Sequence, residues 1–219
     1  MKPVRATLRM TLLLALALPL ACVNPFKPAT PELPSAAGIS ENFSLPDSVL
    51  STMARAIVAK SEGGANAWLH AFADSTVVGD RAYRCVYDGQ VKQNWEAATS
   101  LNAPVWDLSL EGGLPSYLYR IRANADYEFT WELDPNRERD GDPGSEDTVW
   151  FHRTYTLTSN FSSRIDTIGI GSCDLSFQKT HGRWSIFRWN DRFDPKVGVT
   201  PAATDERCMS WWRLESRSR

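Results

Sequence analysis

Cys22 is the side chain with the most specific chemistry, because of what precedes it. Lys2, Arg5 and Arg9 form a basic head, Met10–Ala21 is almost wholly apolar, and Leu18-Pro19-Leu20-Ala21 leads into the thiol. This is the pattern of an export signal, too short to remain as a bilayer span of about 20 residues. A thiol left at such an exit can carry acyl chains. The other cysteines, Cys85, Cys173 and Cys208, match no metal-ligand spacing. An exported chain meets oxidising conditions, so one disulfide with one thiol left over is expected, and Cys85 and Cys173, both in strand-like segments, are the favoured pair. His70, His152 and His181 are scattered, and no phosphate loop, nucleophile elbow or Cys-His signature accompanies them. The acidic stretch Asp134–Asp147 lacks the spacing and closing glutamate of a calcium loop and reads as a solvated hairpin loop. No metal site and no cofactor is expected.

The exit at Cys22 resembles a bacterial lipobox, with Ala21 fitting and Pro19 and Leu20 departing from the usual leucine and small residue. The resemblance implies that Cys22 is diacylated and becomes the new N-terminus. Pro25, Pro28, Pro31 and Pro34 then recur every third residue, one turn of polyproline II. Extended at about 3.1 Å per residue, the segment Val23–Phe43 reaches on the order of 60 Å, the form of a tether. The expected organisation is a signal peptide at 1–21, a lipidated cysteine and Pro-rich tether at 22–43, a folded domain at 44–192 and a tail at 193–219. Loss of 1–21 removes three basic residues and no acidic ones, leaving 21 basic against 26 acidic, about −5. That balance argues against nucleic acid, whose binders need a basic face.

The elements that would position any site follow from periodicity. Ser44-Leu45-Pro46-Asp47 predicts a capped helix start, with Val49, Leu50, Met53, Ile57 and Val58 as one apolar stripe ended by Gly63-Gly64. A second helix is expected over Ala65–Phe72, a short strand through Tyr83, Cys85 and Tyr87, and a third helix over Val91–Ser100. Val105–Leu110 predicts a strand. Tyr117, Tyr119, Ile121, Ala123, Ala125, Tyr127, Phe129, Trp131 and Leu133 hold consecutive odd positions, which predicts a long strand, or two in line, with one dry face. Strands are also expected over Val149–Thr158, through Ile168–Phe177 with a bulge at Gly169–Ser172, and over Trp184–Trp189. Trp211 and Trp212 are expected to dock back on the sheet, since a paired exposed indole is costly.

Helices first and a meander afterwards mean an α+β layer. The order resembles the nuclear transport factor 2-like (cystatin-like) cone, in which N-terminal helices pack in the concave face of a strongly curved antiparallel sheet. More closely, the chain resembles uncharacterised bacterial lipoproteins on that cone. The carrying segments are Ala67-Trp68-Leu69-His70-Ala71-Phe72-Ala73-Asp74, Tyr83–Asp88, Arg183–Asp191 and Ser210-Trp211-Trp212-Arg213-Leu214. The resemblance implies a lipid-anchored cell-envelope protein, at the outer membrane and facing the periplasm or the surface. It implies a binding or assembly module that meets the membrane through its acyl chains and takes an envelope protein or a small apolar ligand as partner, with no catalytic residues to carry over. Other relatives of the cone are isomerases and cyclases. On that rival reading the chain acts on an apolar carbonyl compound, with His152 or Asp126 as base and Tyr127 or Tyr155 as oxyanion donor.

Overall fold

The computed structural model describes residues 39–137, 139–161, 164–193 and 208–218. The expected signal peptide 1–21, Cys22 and the expected tether up to residue 38 lie outside these described residues. Helix α1 spans Pro46–Ala59 and α2 spans Glu62–His70, followed by β1 at Arg84–Val86 and α3 at Gly89–Thr99. Then come α4 at Leu108–Glu111, α5 at Gly113–Ile121, β2 at Asp126–Leu133, β3 at Thr148–Phe161, β4 at Arg164–Thr180, β5 at Arg183–Arg192 and α6 at Met209–Ser218.

Helix α1 begins one residue later than the capping-box reading. Leu45 is its N-cap without a side-chain bond, Pro46 takes the first turn, and the Ser44 hydroxyl donates instead to Asn42 at 2.8 Å. The helix stops at Lys60, in the left-handed region at φ 47°, whose Nζ donates to the carbonyls of Ala123 and Ala125. Gly63-Gly64 therefore does not end α1 but lies in the first turn of α2, where the Ser61 hydroxyl accepts the Gly64 N–H. A Cβ on Gly64 would stand 2.5 Å from the Ala56 carbonyl oxygen, so glycine lets the two helices touch.

The expected strand over Val105–Leu110 is absent. Trp106 makes one isolated bridge to Cys85, after which the Asp107 carboxylate caps the single turn of α4. The long odd-numbered run is also divided: Tyr117–Ile121 closes helix α5, residues 122–125 turn, and only Asp126–Leu133 is strand. Leu114, Tyr117 and Leu118 are buried at helical spacing on α5, a pattern hidden beneath the alternation.

The sheet has the order β1-β5-β4-β3-β2 and is antiparallel except for β1, which runs parallel to β5. Bulges sit at Ile168 in β4, beside the expected glycine segment, and at Phe187 in β5, which is why Ile186 and Trp189 both face inward. The curvature is visible in the rings. In a flat sheet β2 and β5 would lie about 14 Å apart, three strand spacings. Yet Trp131 on β2 and Trp189 on β5 meet at 5.6 Å between centroids, and α1 packs against both strands. Helix α6 lies against the sheet. Cys208, Met209, Trp212 and Leu214 are buried, and the Trp212 indole donates to the Ile168 carbonyl at 2.7 Å, docking α6 on the sheet. Among the described residues no helix is long and apolar enough to cross a membrane.

Candidate functional site

The concave interior centres on a carboxylate. The cap at Asp107 fixes the start of α4, so Glu111, one turn later, points away from solvent and is fully buried. The Trp68 indole of α2 donates to Oε1 at 3.1 Å, and the Tyr83 hydroxyl and Trp106 indole donate to Oε2. Arg213 of α6, equally buried, adds a fork: Nη2 donates to Oε1 and Nε to Oε2, each at 2.9 Å. Its guanidinium stands 4.3 Å from the Trp189 ring centroid. Burial works against the charged guanidinium, and Cys85, Glu111 and Tyr83 around it together more than offset it, so the Arg213 pKa is raised. Five donors converge on this one carboxylate and fill its acceptor positions.

A second closed network lies beside it. Asp191 Oδ1 accepts from the Tyr155 hydroxyl at 2.7 Å and the Trp189 indole at 3.2 Å, while Oδ2 accepts from the N–H and hydroxyl of Ser210. The Tyr155 oxygen in turn accepts the Met209 N–H at 2.7 Å. Burial first, and the Asp191 charge second, push the Tyr155 hydroxyl pKa well up. Tyr155 fits only because residue 171 is glycine: a Cβ there would stand 2.5 Å from both the Tyr155 hydroxyl and the Arg192 carbonyl oxygen. Gly171→Ala is therefore expected to cost about 1–3 kcal/mol through overpacking. A urea midpoint unchanged from the parent protein would contradict this.

The residues expected on the enzyme reading do not converge. His152 and Tyr155 differ by an odd number on one strand, so they occupy opposite faces of β3. Tyr155 is locked inside, whereas His152 stands on the convex side with Nδ1 2.6 Å from Asp174 Oδ1. Asp126 is exposed at the start of β2, and Tyr127 points inward and donates to the Leu118 carbonyl at 2.5 Å. No polar pair of the required kind forms from these four.

Asp174 on the convex face also receives both Nη atoms of Arg192, at 2.7 and 2.9 Å, and lies 3.8 Å from Arg137. The Arg192 bonds, with His152 and Arg137 helping, hold its carboxyl down at about 2. A depressed carboxylate stabilises the fold fully above its ordinary value near 3.9, and that contribution is lost as pH falls through about 2. The urea midpoint should fall between pH 4 and pH 2, and Asp174→Asn should flatten that decline. Equal declines in the two proteins would refute this role.

The expected pairing of Cys85 with Cys173 does not form; Cys85, Cys173 and Cys208 are free and buried. Cys85 lies on β1 and Cys173 on β4, with β5 between them. Two strand spacings separate their Cα atoms by about 10 Å, past the roughly 7 Å that a disulfide spans. Desolvation pushes all three thiols up, so they are unreactive near neutral pH. Among the described residues no three His, Cys, Asp or Glu side chains gather to hold a metal.

Among the described residues, clefts open at the edges of this interior. One of about 500 Å³ lies between Leu69 of α2, Tyr83 and Leu108. Another, about 630 Å³, runs between Leu50 and Ala54 of α1 and Phe129 and Trp131 of β2, and a third, about 360 Å³, lies by Val91, Phe193 and Trp211. Sequence reasoning does not single out Glu111 or Arg213. The available signals are a carboxylate flanked by Leu110 and Leu114 and an arginine inside the apolar run Trp211-Trp212-Arg213-Leu214.

No protein-family description matches the chain, and no curated protein matches it. Among solved structures it is similar to a Mycobacterium tuberculosis protein of unknown function, at 12% identity and a TM-score of 0.49, covering 78% of this chain and 82% of that one. It is also similar to a Nostoc punctiforme domain of unknown function with a cystatin-like fold, at 7% identity and TM-score 0.45, covering 68% and 75%. A Streptomyces avermitilis protein of the nuclear transport factor 2-like family gives 12% identity and TM-score 0.43, covering 67% and 91%. The fold class rests on the chain's own element order and register: α+β, with helices in the hollow of a curved five-stranded mixed sheet.

Proposed function

We propose that the chain is a lipid-anchored module of the bacterial cell envelope whose domain binds a partner or supports an assembly and does not turn over a substrate. The observation that carries the non-catalytic part is the filled interior. The polar groups at the floor of the cone, Glu111, Tyr83, Asp191 and Tyr155, are all paired with one another or with α6. A cone enzyme acting on a carbonyl compound needs an unpaired acid or base in an open apolar pocket. The anchor is supported by the N-terminal pattern alone: basic head, apolar run and small residue before Cys22. Diacylation would hold the domain durably at a membrane, and the proline-spaced segment would stand it off the bilayer. The partner is an envelope protein or a small apolar ligand at one of the outer clefts.

The test is chemical. With a palmitate analogue in the medium, the intact protein should take up label, partition with membranes and begin at Cys22 by mass spectrometry. Cys22→Ser should abolish the label and leave an uncleaved or aqueous product. Parent protein without acyl groups, recovered in the aqueous fraction, would sink the anchor.

A further inference from the structure

Helix α6 enters the cone as a ligand enters a receptor, through polar contacts at successive positions. Met209 and Ser210 bring backbone N–H groups to Tyr155 and Asp191, Trp212 brings its indole N–H to Ile168, and Arg213 brings its fork to Glu111. The residues that receive it all lie between positions 68 and 191, and they brace one another without it. Glu111 keeps three neutral donors from three separate segments, the indoles of Trp68 and Trp106 and the Tyr83 hydroxyl. Asp191 keeps Tyr155 and the Trp189 indole. The order of the five-stranded sheet does not involve α6 either. A carboxylate held by fixed neutral donors, with an indole plane against the cation it binds, is a preorganised receptor for a flat cation.

We propose that the Glu111 socket is a guanidinium-binding site for a ligand supplied in trans, with Arg213 as its resident occupant. This depends on neither the anchor nor the partner proposed above. The socket selects the fork over a point charge, because Nε and Nη2 bond the two carboxylate oxygens side by side at 2.9 Å while the plane of the cation meets Trp189. Arg213 is also an imperfect tenant. Its Nη1 is buried with no hydrogen-bond partner among the described residues, a cost that α6 bears whenever it is docked. A guanidinium arriving free of the helix backbone is not held to that orientation. Occupant and ligand therefore compete for one carboxylate.

The experiment uses the intact chain and follows amide hydrogen exchange at Met209, Ser210 and Trp212 against the amides of the β3–β4 ladder. Butylguanidinium is the free source of the group. A peptide with the sequence of residues 208–218 is the protein-borne source. Butylammonium and butylurea are controls for charge and for general solvation. Exchange at the α6 amides should rise in proportion to butylguanidinium, about 100-fold at 100 times its dissociation constant, with the ladder unchanged. Butylammonium should need at least about tenfold more for the same effect, the worth of one further charge-assisted bond. A response to the peptide but not to butylguanidinium would still support the guanidinium chemistry, with a protein arginine as its source, only if the Arg→Ala version of the peptide is inactive. In Arg213→Lys, which keeps the charge and loses the fork, the apparent affinity for butylguanidinium should rise tenfold or more. Exchange at α6 that ignores both sources, that responds equally to butylurea, or that rises only together with the ladder amides overturns the proposal.

Discussion

Arg213→Ala is expected to remove about 3–5 kcal/mol from the unfolding free energy, enough to leave a domain of ordinary stability barely folded. The missing fork of hydrogen bonds matters less than the uncompensated charge it leaves behind. Glu111 would keep three neutral donors and lose its cation. The size of the effect can be separated from simple loss of packing by a double change. Arg213→Met with Glu111→Leu keeps volume and removes both charges, and should recover most of the stability that Arg213→Met alone forfeits. Urea unfolding of the four proteins measures it. A double variant as unstable as the single one would show that the two side chains act through shape and not through their charges.

Trp189→Ala should cost a similar amount, about 3–5 kcal/mol, for a different reason. The Trp189 ring lies within 6.4 Å, centroid to centroid, of Trp68, Trp131 and Tyr155, and it floors the Arg213 guanidinium at 4.3 Å. Removing it opens a void shared by α2, β2, β3 and α6. It also strips one donor from Asp191. Trp189→Phe keeps most of the volume and should lose clearly less. Thermal unfolding with near-ultraviolet circular dichroism would report both changes. Equal losses in the two variants would mean that the indole hydrogen bond, and not the ring stack, dominates.

The features legible in the sequence are those with one dominant period. The stripe of α1, the strands β3 and β5 and the inward turn of Trp212 follow from side chains that have only one face to bury. Residues 113–133 mislead because two periods coincide there. Tyr117, Tyr119 and Ile121 continue the parity of Tyr127, Phe129 and Trp131, yet Leu114, Tyr117 and Leu118 also make a helical face. Tertiary packing against α2 and α6 decides between them, and packing of that kind has no signature in a window of ten residues. The start of α1 shows a subtler version. Ser44 satisfies the cap pattern, but its oxygen accepts no helix N–H; its N–H and hydroxyl both donate to Asn42 Oδ1, and Leu45 takes the cap position. The polar heart is not legible for a stronger reason. Glu111 and Arg213 are 102 positions apart, and a charged residue in an apolar run reads as a solvated edge until its partner is found.

The parallel edge strand has a consequence for how the chain reaches its final form. β1, at residues 84–86, can join the sheet only beside β5, whose residues 188–190 are made about a hundred positions later. Tyr83 likewise meets Arg213 across 130 positions. Loop closures of that length are slow, and none of them can occur while the second half is still being synthesised. The early helices thus wait without a roof for their apolar faces. A polypeptide that cannot lock before its last third emerges stays pliable for most of its synthesis.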